Sequence, residues 1–194
     1  MFSGIIKKNG IVKKIINRKN GLTIGIKSNL NLTNKEVGSS INCSGVCLTL
    51  EKISRKISYF YISKETLNIS NFKCIKKNDI LNLEKSLKYN NRISGHFVQG
   101  HVDTTSILVK KNVYGRSWYL YFSLNKILKK FLVYKGSIAV NGISLTIAKV
   151  YSKKFLVVVI PHTLKLTNLN NIKKNDMVNI EIDIIAKYLK KITS

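Results

Sequence analysis

Apolar positions along the chain fall in short runs. Tyr59-Phe60-Tyr61-Ile62 and Phe155-Leu156-Val157-Val158-Val159-Ile160 are β-branched or aromatic runs of strand length. Val12 to Ile16, Leu22 to Ile26, Val46 to Ile53 and Ile143 to Val150 read the same way. Polar clusters such as Asn17-Arg18-Lys19-Asn20-Gly21 and Lys76-Lys77-Asn78-Asp79 separate them at short intervals. Many short strands with frequent turns predict a small antiparallel barrel or sandwich. Helical spacing is rarer. Thr33 to Val37, Leu83 to Tyr89 and Ser123 to Phe131 are expected to form short helices. Near the C-terminus, Ile185, Tyr188, Leu189 and Ile192 share one helical face, with Lys187, Lys190 and Lys191 off it. That face packs either on its own domain or against copies of itself.

The pattern occurs twice. Ser40-Ile41-Asn42-Cys43-Ser44-Gly45-Val46-Cys47-Leu48-Thr49 returns 97 residues later as Ser137-Ile138-Ala139-Val140-Asn141-Gly142-Ile143-Ser144-Leu145-Thr146. Ile75-Lys76-Lys77-Asn78-Asp79 returns as Ile172-Lys173-Lys174-Asn175-Asp176, and Asn82-Leu83-Glu84 as Asn179-Ile180-Glu181. Residues 38–84 and 135–181 share 17 identities in 47 without a gap. Gly4-Ile5-Ile6 faces Gly100-His101-Val102 at an offset of 96. A repeat this long is a duplicated domain, not a solenoid unit.

Composition adds a caution about charge. The 194 residues carry 34 Lys+Arg against 9 Asp+Glu, a formal net charge of +25. Residues 1–97 hold 18 basic and 5 acidic groups, and residues 98–194 hold 16 and 4, so no basic tail or basic domain stands out. Only Arg18, Arg55, Arg92 and Arg116 are arginines. Base readout favours the planar Arg fork over Lys, so no specific nucleic-acid partner is expected. With 27 Ile and 21 Asn beside 30 Lys, the charge reads as a product of A/T-rich codons. Cys43, Cys47 and Cys74 are odd in number and form no CxxC pair, which fits reduced thiols in a cytoplasm. No apolar run is long enough to span a bilayer, so no membrane role is expected. The N-terminus places apolar residues before the first lysines, the reverse of a signal peptide.

Nucleotide-loop, zincin and nucleophile-elbow motifs are absent. Asp79 and Asp176 stand in KKND turns, where Asp caps backbone amides. Glu84 and Glu181 recur with the repeat and read as structural. The remaining chemistry lies in strands. Cys47 and Thr49 flank Leu48, and Ser144 and Thr146 flank Leu145, so alternation puts each polar pair on one face. Those groups satisfy one another or meet a ligand. His101 occupies the position of Ile5, and Ser144 that of Cys47. Two related folds with different polar groups suggest two related ligands handled differently.

Taken in order, Met1-Phe2-Ser3-Gly4-Ile5-Ile6, the Gly-x-Cys-Leu-Thr of copy one, Gly95-His96-Phe97-Val98-Gln99-Gly100-His101-Val102-Asp103, Lys135 to Thr146 and Ile160-Pro161-His162-Thr163-Leu164 resemble the riboflavin synthase family. The resemblance implies an all-β chain: two homologous six-stranded antiparallel Greek-key barrels in tandem, at 1–96 and 97–183, and a C-terminal oligomerisation helix at 184–194. It implies a homotrimer whose active sites lie between copy one of one chain and copy two of another, with no metal or redox cofactor. The substrate would be 6,7-dimethyl-8-ribityllumazine. Two molecules dismutate by transfer of a four-carbon unit, giving riboflavin and 5-amino-6-(ribitylamino)uracil.

By the same resemblance the catalytic residues are His101, Ser144, Thr146, Asp183 and Cys47. The substrate-lining residues are Gly4, Ile5, Ile6, Cys47, Leu48, Thr49, Ile62, Ser63, Lys64, Glu65, Thr66, Gly100, His101, Val102, Lys135, Ser144, Leu145, Thr146, Ile160, Pro161, His162, Thr163, Leu164 and Lys165. His101 is the natural base near neutral pH, and the hydroxyls and the thiol are nucleophiles or position water. One departure stands out. The family usually has Asn before the Gly of the GxCLT motif, and copy one has Ser44, which is expected to loosen the loop or weaken a ligand contact. The alternative is a non-catalytic lumazine- or flavin-binding relative, which the intact polar set of copy two disfavours.

Overall fold

A computed structural model describes residues 1–193. Copy one contributes β1 (Lys8–Arg18), β2 (Gly21–Ser28), β3 (Ser40–Cys43), β4 (Val46–Ser54), β5 (Ile57–Ser63) and β6 (Ile80–Lys85), with α1 (Lys64–Ile69) between β5 and β6. Copy two contributes β7 (Thr104–Tyr114), β8 (Ser117–Ser123), β9 (Ser137–Val140), β10 (Ile143–Val150), β11 (Lys154–Val159) and β12 (Met177–Ile182). Its helices are α2 (Lys126–Lys129) and α3 (Pro161–Leu166), and α4 (Ile184–Ile192) follows. Each set closes into an antiparallel barrel, in the order β1-β2-β5-β4-β3-β6 and, read the same way round, β7-β8-β11-β10-β9-β12. This is one Greek-key topology written twice, as the repeat and the resemblance both lead one to expect.

The repeat extends to irregularities. Register shifts fall between Leu50 and Lys52 and, 97 residues on, between Ile147 and Lys149. A second pair falls between Val12 and Lys14 and between Leu108 and Lys110. Bulges bend and twist a strand, and small barrels use them to close. The KKND turns match their reading: Asp79 accepts from the Lys76 amide and Asp176 from the Lys173 amide, both at 2.7 Å.

One barrel is filled by Val12, Ile24, Ile41, Leu50, Phe60, Ile62 and Phe72, the other by Leu108, Leu120, Phe122, Ile138, Phe155 and Ile180. Each core also takes a residue from the other copy's leading segment. Val102 packs in the first core and Ile6 in the second. The segments that precede the two barrels, residues 2–6 and 98–102, are thus crossed straps, bridged to each other where Phe2 pairs with Val98.

Carboxamides fasten the barrels together. Asn82 on β6 donates to the Asn141 carbonyl and to Asn168 Oδ1, both at 2.9 Å, and accepts from the Asn168 amide at 2.7 Å. Its repeat, Asn179 on β12, accepts from the Asn71 amide at 2.6 Å and donates to the Ser44 carbonyl at 2.9 Å. Several of the abundant asparagines therefore have structural work, whatever set their number.

One expected helix is not formed. Leu83 to Lys85 complete β6, and Ser86 to Tyr89 carry no helix. The i, i+4 pair Leu83/Leu87 looks helical, but closing the barrel needs β6 paired with both β1 and β3, and this overrides local periodicity. The expected helix at 123–131 shrinks to α2, where Asn125 Oδ1 accepts from the Leu128 amide at 2.9 Å. That at 33–37 is a single 3₁₀ turn, Asn34–Glu36. The C-terminal helix forms as expected. Asp183 caps it, accepting from the Ile185 amide at 3.0 Å, and Lys187 pairs with Asp103 at 2.7 Å. Its apolar face does not pack on its own barrel: Ile185, Tyr188, Leu189 and Ile192 are each more than half exposed.

Candidate active site

The polar pairs on β4 and β10 point out of the barrels, not into them. Leu48 is buried in the first core, and Leu145 packs against the second. Cys47 and Ser144 are half-buried, and Thr49 and Thr146 are exposed. Each strap crosses over the other copy's pair. The Cys47 amide donates to the Gly100 carbonyl and the Ser144 amide to the Gly4 carbonyl, both at 2.8 Å. Glycine is required at both crossings. Gly4 and Gly100 have φ of +73° and +78°, and a Cβ on either would lie 2.7 Å from the Cβ of Ser144 or Cys47. A strip therefore forms on each barrel between strand and strap. One holds Gly100, His101, Val102, Cys47, Leu48 and Thr49; the other holds Gly4, Ile5, Ile6, Ser144, Leu145 and Thr146.

The second strip contains a buried histidine. His96 Nδ1 lies 2.7 Å from Ser144 Oγ. Burial holds this imidazole below its ordinary pKa, and the Asp183 charge opposes that effect. Burial thus favours the neutral imidazole, and among the described residues its Nε2 is buried without a partner. An unpaired lone pair costs less than an unpaired N–H, which favours the tautomer protonated at Nδ1. Ser144 Oγ then accepts from His96 and keeps its own O–H free for a ligand. Gly95 permits this approach, since a Cβ there would fall 2.8 Å from Ser144 Oγ.

The expected catalytic residues fall into two groups. Cys47 and His101 belong to the strip on the first barrel, and Ser144, Thr146 and Asp183 to the second. No hydrogen bond joins the His101 side chain to Ser144, Thr146 or Asp183 among the described residues. His101 itself is exposed, held through its backbone amide by Glu181 at 3.1 Å. Of the other expected lining residues, Ile62 lies in the first core with Leu48 and Val102. Ser63 caps α1 by accepting from the Thr66 amide at 3.2 Å, leaving Lys64 and Glu65 exposed. Across the repeat, Ile160 is exposed, Pro161 and Thr163 are half-buried in the first turn of α3, Leu164 is in the second core, and His162 and Lys165 are exposed. Lys135 is exposed at φ +66° and donates its amide to the Ile147 carbonyl at 2.9 Å, as Gly38 does to Leu50 in copy one at 2.8 Å. His96 is the residue missed by reading sequence. Its only signal was a glycine before it in a segment with a second histidine.

Ser44 does not face either strip. Its hydroxyl accepts from the Asn82 amide at 3.0 Å, as Asn141 Oδ1 accepts from the Asn179 amide at 2.8 Å. Of two cavities, of about 480 and 550 Å³, the first lies apart from the strips and the second is lined in part by Ile5 of the second strip. One opens between the KKND turns, and the other lies behind residues 3–8.

A duplicated barrel whose polar strand pair is roofed by the other copy's strap defines a class of small-ligand-binding protein. The chain belongs to the lumazine binding domain family, which it matches twice, at residues 3–86 and 99–183. Curated relatives sharpen this. Riboflavin synthase of Chlamydia pneumoniae is 40% identical over 190 residues, covering 96% of this chain and 92% of the relative. Riboflavin synthase of Photobacterium leiognathi is 37% identical over 193 residues, covering 99% of this chain and 88% of the relative. Among solved structures, LumP complexed with riboflavin superposes with a TM-score of 0.84 at 22% identity, covering 94% of this chain and 99% of LumP. LumP complexed with 6,7-dimethyl-8-(1'-D-ribityl) lumazine gives 0.81 at 22% identity, covering 93% and 98%. At that identity the likeness establishes the shared fold.

Proposed function

We propose that this chain is an enzyme of the riboflavin synthase kind, a transferase joining two molecules of 6,7-dimethyl-8-ribityllumazine. One lumazine loses a four-carbon unit and becomes 5-amino-6-(ribitylamino)uracil, and the other gains it and becomes riboflavin. The exchange balances without an outside oxidant, because one substrate molecule is oxidised at the other's expense. The observation that carries this reading is the pair of strips. Two homologous sites, each built from a GxxLT strand and the other copy's strap, suit a reaction that consumes two copies of one ligand. Holding both supplies proximity and orientation, worth up to roughly 7–11 kcal/mol in favourable cases.

The roles follow from the chemistry. The C7 methyl of a lumazine is acidic because its carbanion delocalises into the ring, so a base of moderate strength suffices, and His101 is exposed to reach it. Ser144, accepting from His96, presents its O–H to the other lumazine and positions the group that adds at C7. Thr146 and Cys47 extend the polar rows, and Asp183 supports the His96 side. The groups that complete one another stand on different barrels. The α4 face, bare on one chain, therefore supports a homotrimer in which copy one of one subunit meets copy two of the next. Three free thiols fit a cytoplasmic setting.

Incubating the purified protein with the lumazine alone is expected to produce riboflavin fluorescence. Stoichiometric lumazine binding without riboflavin would instead identify a non-catalytic carrier. His101→Ala and Ser144→Ala are expected to lose turnover by about a hundredfold with unchanged circular dichroism. Wild-type turnover in either removes that residue from the mechanism.

A further inference from the structure

The repeated Asn-x-Glu of β6 and β12 has a function that neither the ligand strips nor the barrel cores use. Its two polar residues lie two positions apart on one strand, and so on one face. The Asn of each reaches the other barrel's turns, as described above. The Glu is buried: Glu84 is 8% and Glu181 2% exposed. Among the described residues, neither side chain forms an ion pair, although the Lys187 charge acts on Glu181. Glu181 accepts from the Gln99 amide at 2.6 Å, the Gly100 amide at 2.8 Å and the His101 amide at 3.1 Å. Glu84 accepts from the Ser3 amide at 2.9 Å, the Ser3 hydroxyl at 2.7 Å and the Gly4 amide at 3.0 Å. Burying a carboxyl is expensive, and three donors on each offset part of that cost, making these clamps on the strap amides that are charge-assisted when the carboxyl is ionised.

What the clamps hold is crossed. Glu181 stands on the second barrel but fixes the strap whose Gly100 carbonyl receives the Cys47 amide and whose Val102 enters the first core. Glu84 stands on the first barrel but fixes the strap whose Gly4 carbonyl receives the Ser144 amide and whose Ile6 enters the second core. We propose that Glu84 and Glu181 are positioning residues acting in trans between the copies, each barrel shaping the ligand strip of the other. This rests on the proposed function only in what the strips bind. The coupling explains why the carboxylates were retained in both copies while Cys47 and Ser144 diverged: the strand pair can change chemistry, but the strap's height above it cannot.

Amide hydrogen exchange on the full chain, without substrate, tests the crossing. Glu181→Ala removes all three of its hydrogen bonds and is expected to speed exchange of the Cys47 amide by about tenfold or more, at least what one such bond is worth, and to leave the Ser144 amide at its wild-type rate. Glu84→Ala is expected to do the reverse. The Gln variants, which keep one accepting oxygen, are expected to fall between wild type and Ala, and they carry the test if an Ala variant does not fold. Loss of protection confined to the mutated Glu's own barrel strands, or equal loss in both barrels, would overturn the proposal by showing a local structural role. An unchanged Cys47 amide in Glu181→Ala would do the same. Because no substrate is present, absence of riboflavin synthesis leaves this result standing, and the reverse also holds.

Discussion

Ser44 shows how one residue reads differently once its neighbours are known. From sequence it was a missing Asn that would loosen a loop or weaken a ligand. In the fold it keeps the hydrogen bond of Asn141 and shares its left-handed backbone, φ +47° against +46°. Asn tolerates that region better than Ser. Ser44→Asn is therefore expected to stabilise the protein by about 0.5 kcal/mol, read as a higher denaturant midpoint at unchanged slope. A lower midpoint would show that the buried pocket fits only the smaller side chain. Glu181 gives a second test at this scale. Burial, with the Asp103 charge adding to it, pushes its carboxyl up to about 7, against the Gln99 and Gly100 amides and Lys187, which favour the charged form. An unfolded Glu titrates near its ordinary value of 4.5. The folded state thus binds a proton that the unfolded chain releases, so this contribution is complete below 4.5 and is lost as pH rises through about 7. The 2.5-unit difference corresponds to about 3 kcal/mol. Wild type is expected to lose roughly that much unfolding free energy relative to Glu181→Gln between pH 5 and 8, by parallel denaturant titrations. Curves that stay parallel would place the group near its ordinary value.

Strands, turns and the C-terminal helix were legible because their signals are local. β-branched runs, KKND caps and the stripe at Ile185, Tyr188, Leu189 and Ile192 need no partner to be recognised. The failed helix after Leu83 and the outward-facing strand pairs were not legible, since barrel closure pairs Leu83 with Lys8 and the straps join Gly100 to Cys47 and Gly4 to Ser144, contacts far apart in sequence. Of the site, the residues at Cys47–Thr49 and Ser144–Thr146 were visible through duplication, whereas His96 depended on Gly95 bringing it to Ser144. The helix stripe carries its own prediction. Four large apolar side chains more than half exposed on nine residues of α4 are costly in water and stabilise association when covered. Truncation after Asp183 is expected to convert the proposed homotrimer to monomers by sedimentation velocity. An intact trimer would shift the interface to the barrels.

Over the whole molecule the question is how a chain of net charge +25 stays folded. Only two ion pairs, Lys85–Glu36 and Lys187–Asp103, are formed among the described side chains. Lysines instead lie over aromatic faces, as Lys111 does 4.3 Å from the Trp118 ring centre and Lys52 does 5.0 Å from that of Tyr59. Such contacts, worth about 0.5–1 kcal/mol at exposed sites, offset self-repulsion locally without neutralising it. The repulsion that remains is long-ranged and reaches across both barrels, because each carries half the charge. Raising NaCl from about 0.02 to about 0.3 M shortens the screening length from roughly 20 to roughly 6 Å, well inside the distance between opposite faces of the molecule. Salt should therefore raise the thermal midpoint, and a relief of about 1 kcal/mol would appear as roughly 2–4 °C for a chain of this size. It should also tighten assembly through α4, whose Lys187, Lys190 and Lys191 approach their counterparts when the apolar faces meet. A midpoint that falls with salt would mean that attractive contacts outweigh the net charge, and that the lysines are held in an arrangement selected for more than codon composition.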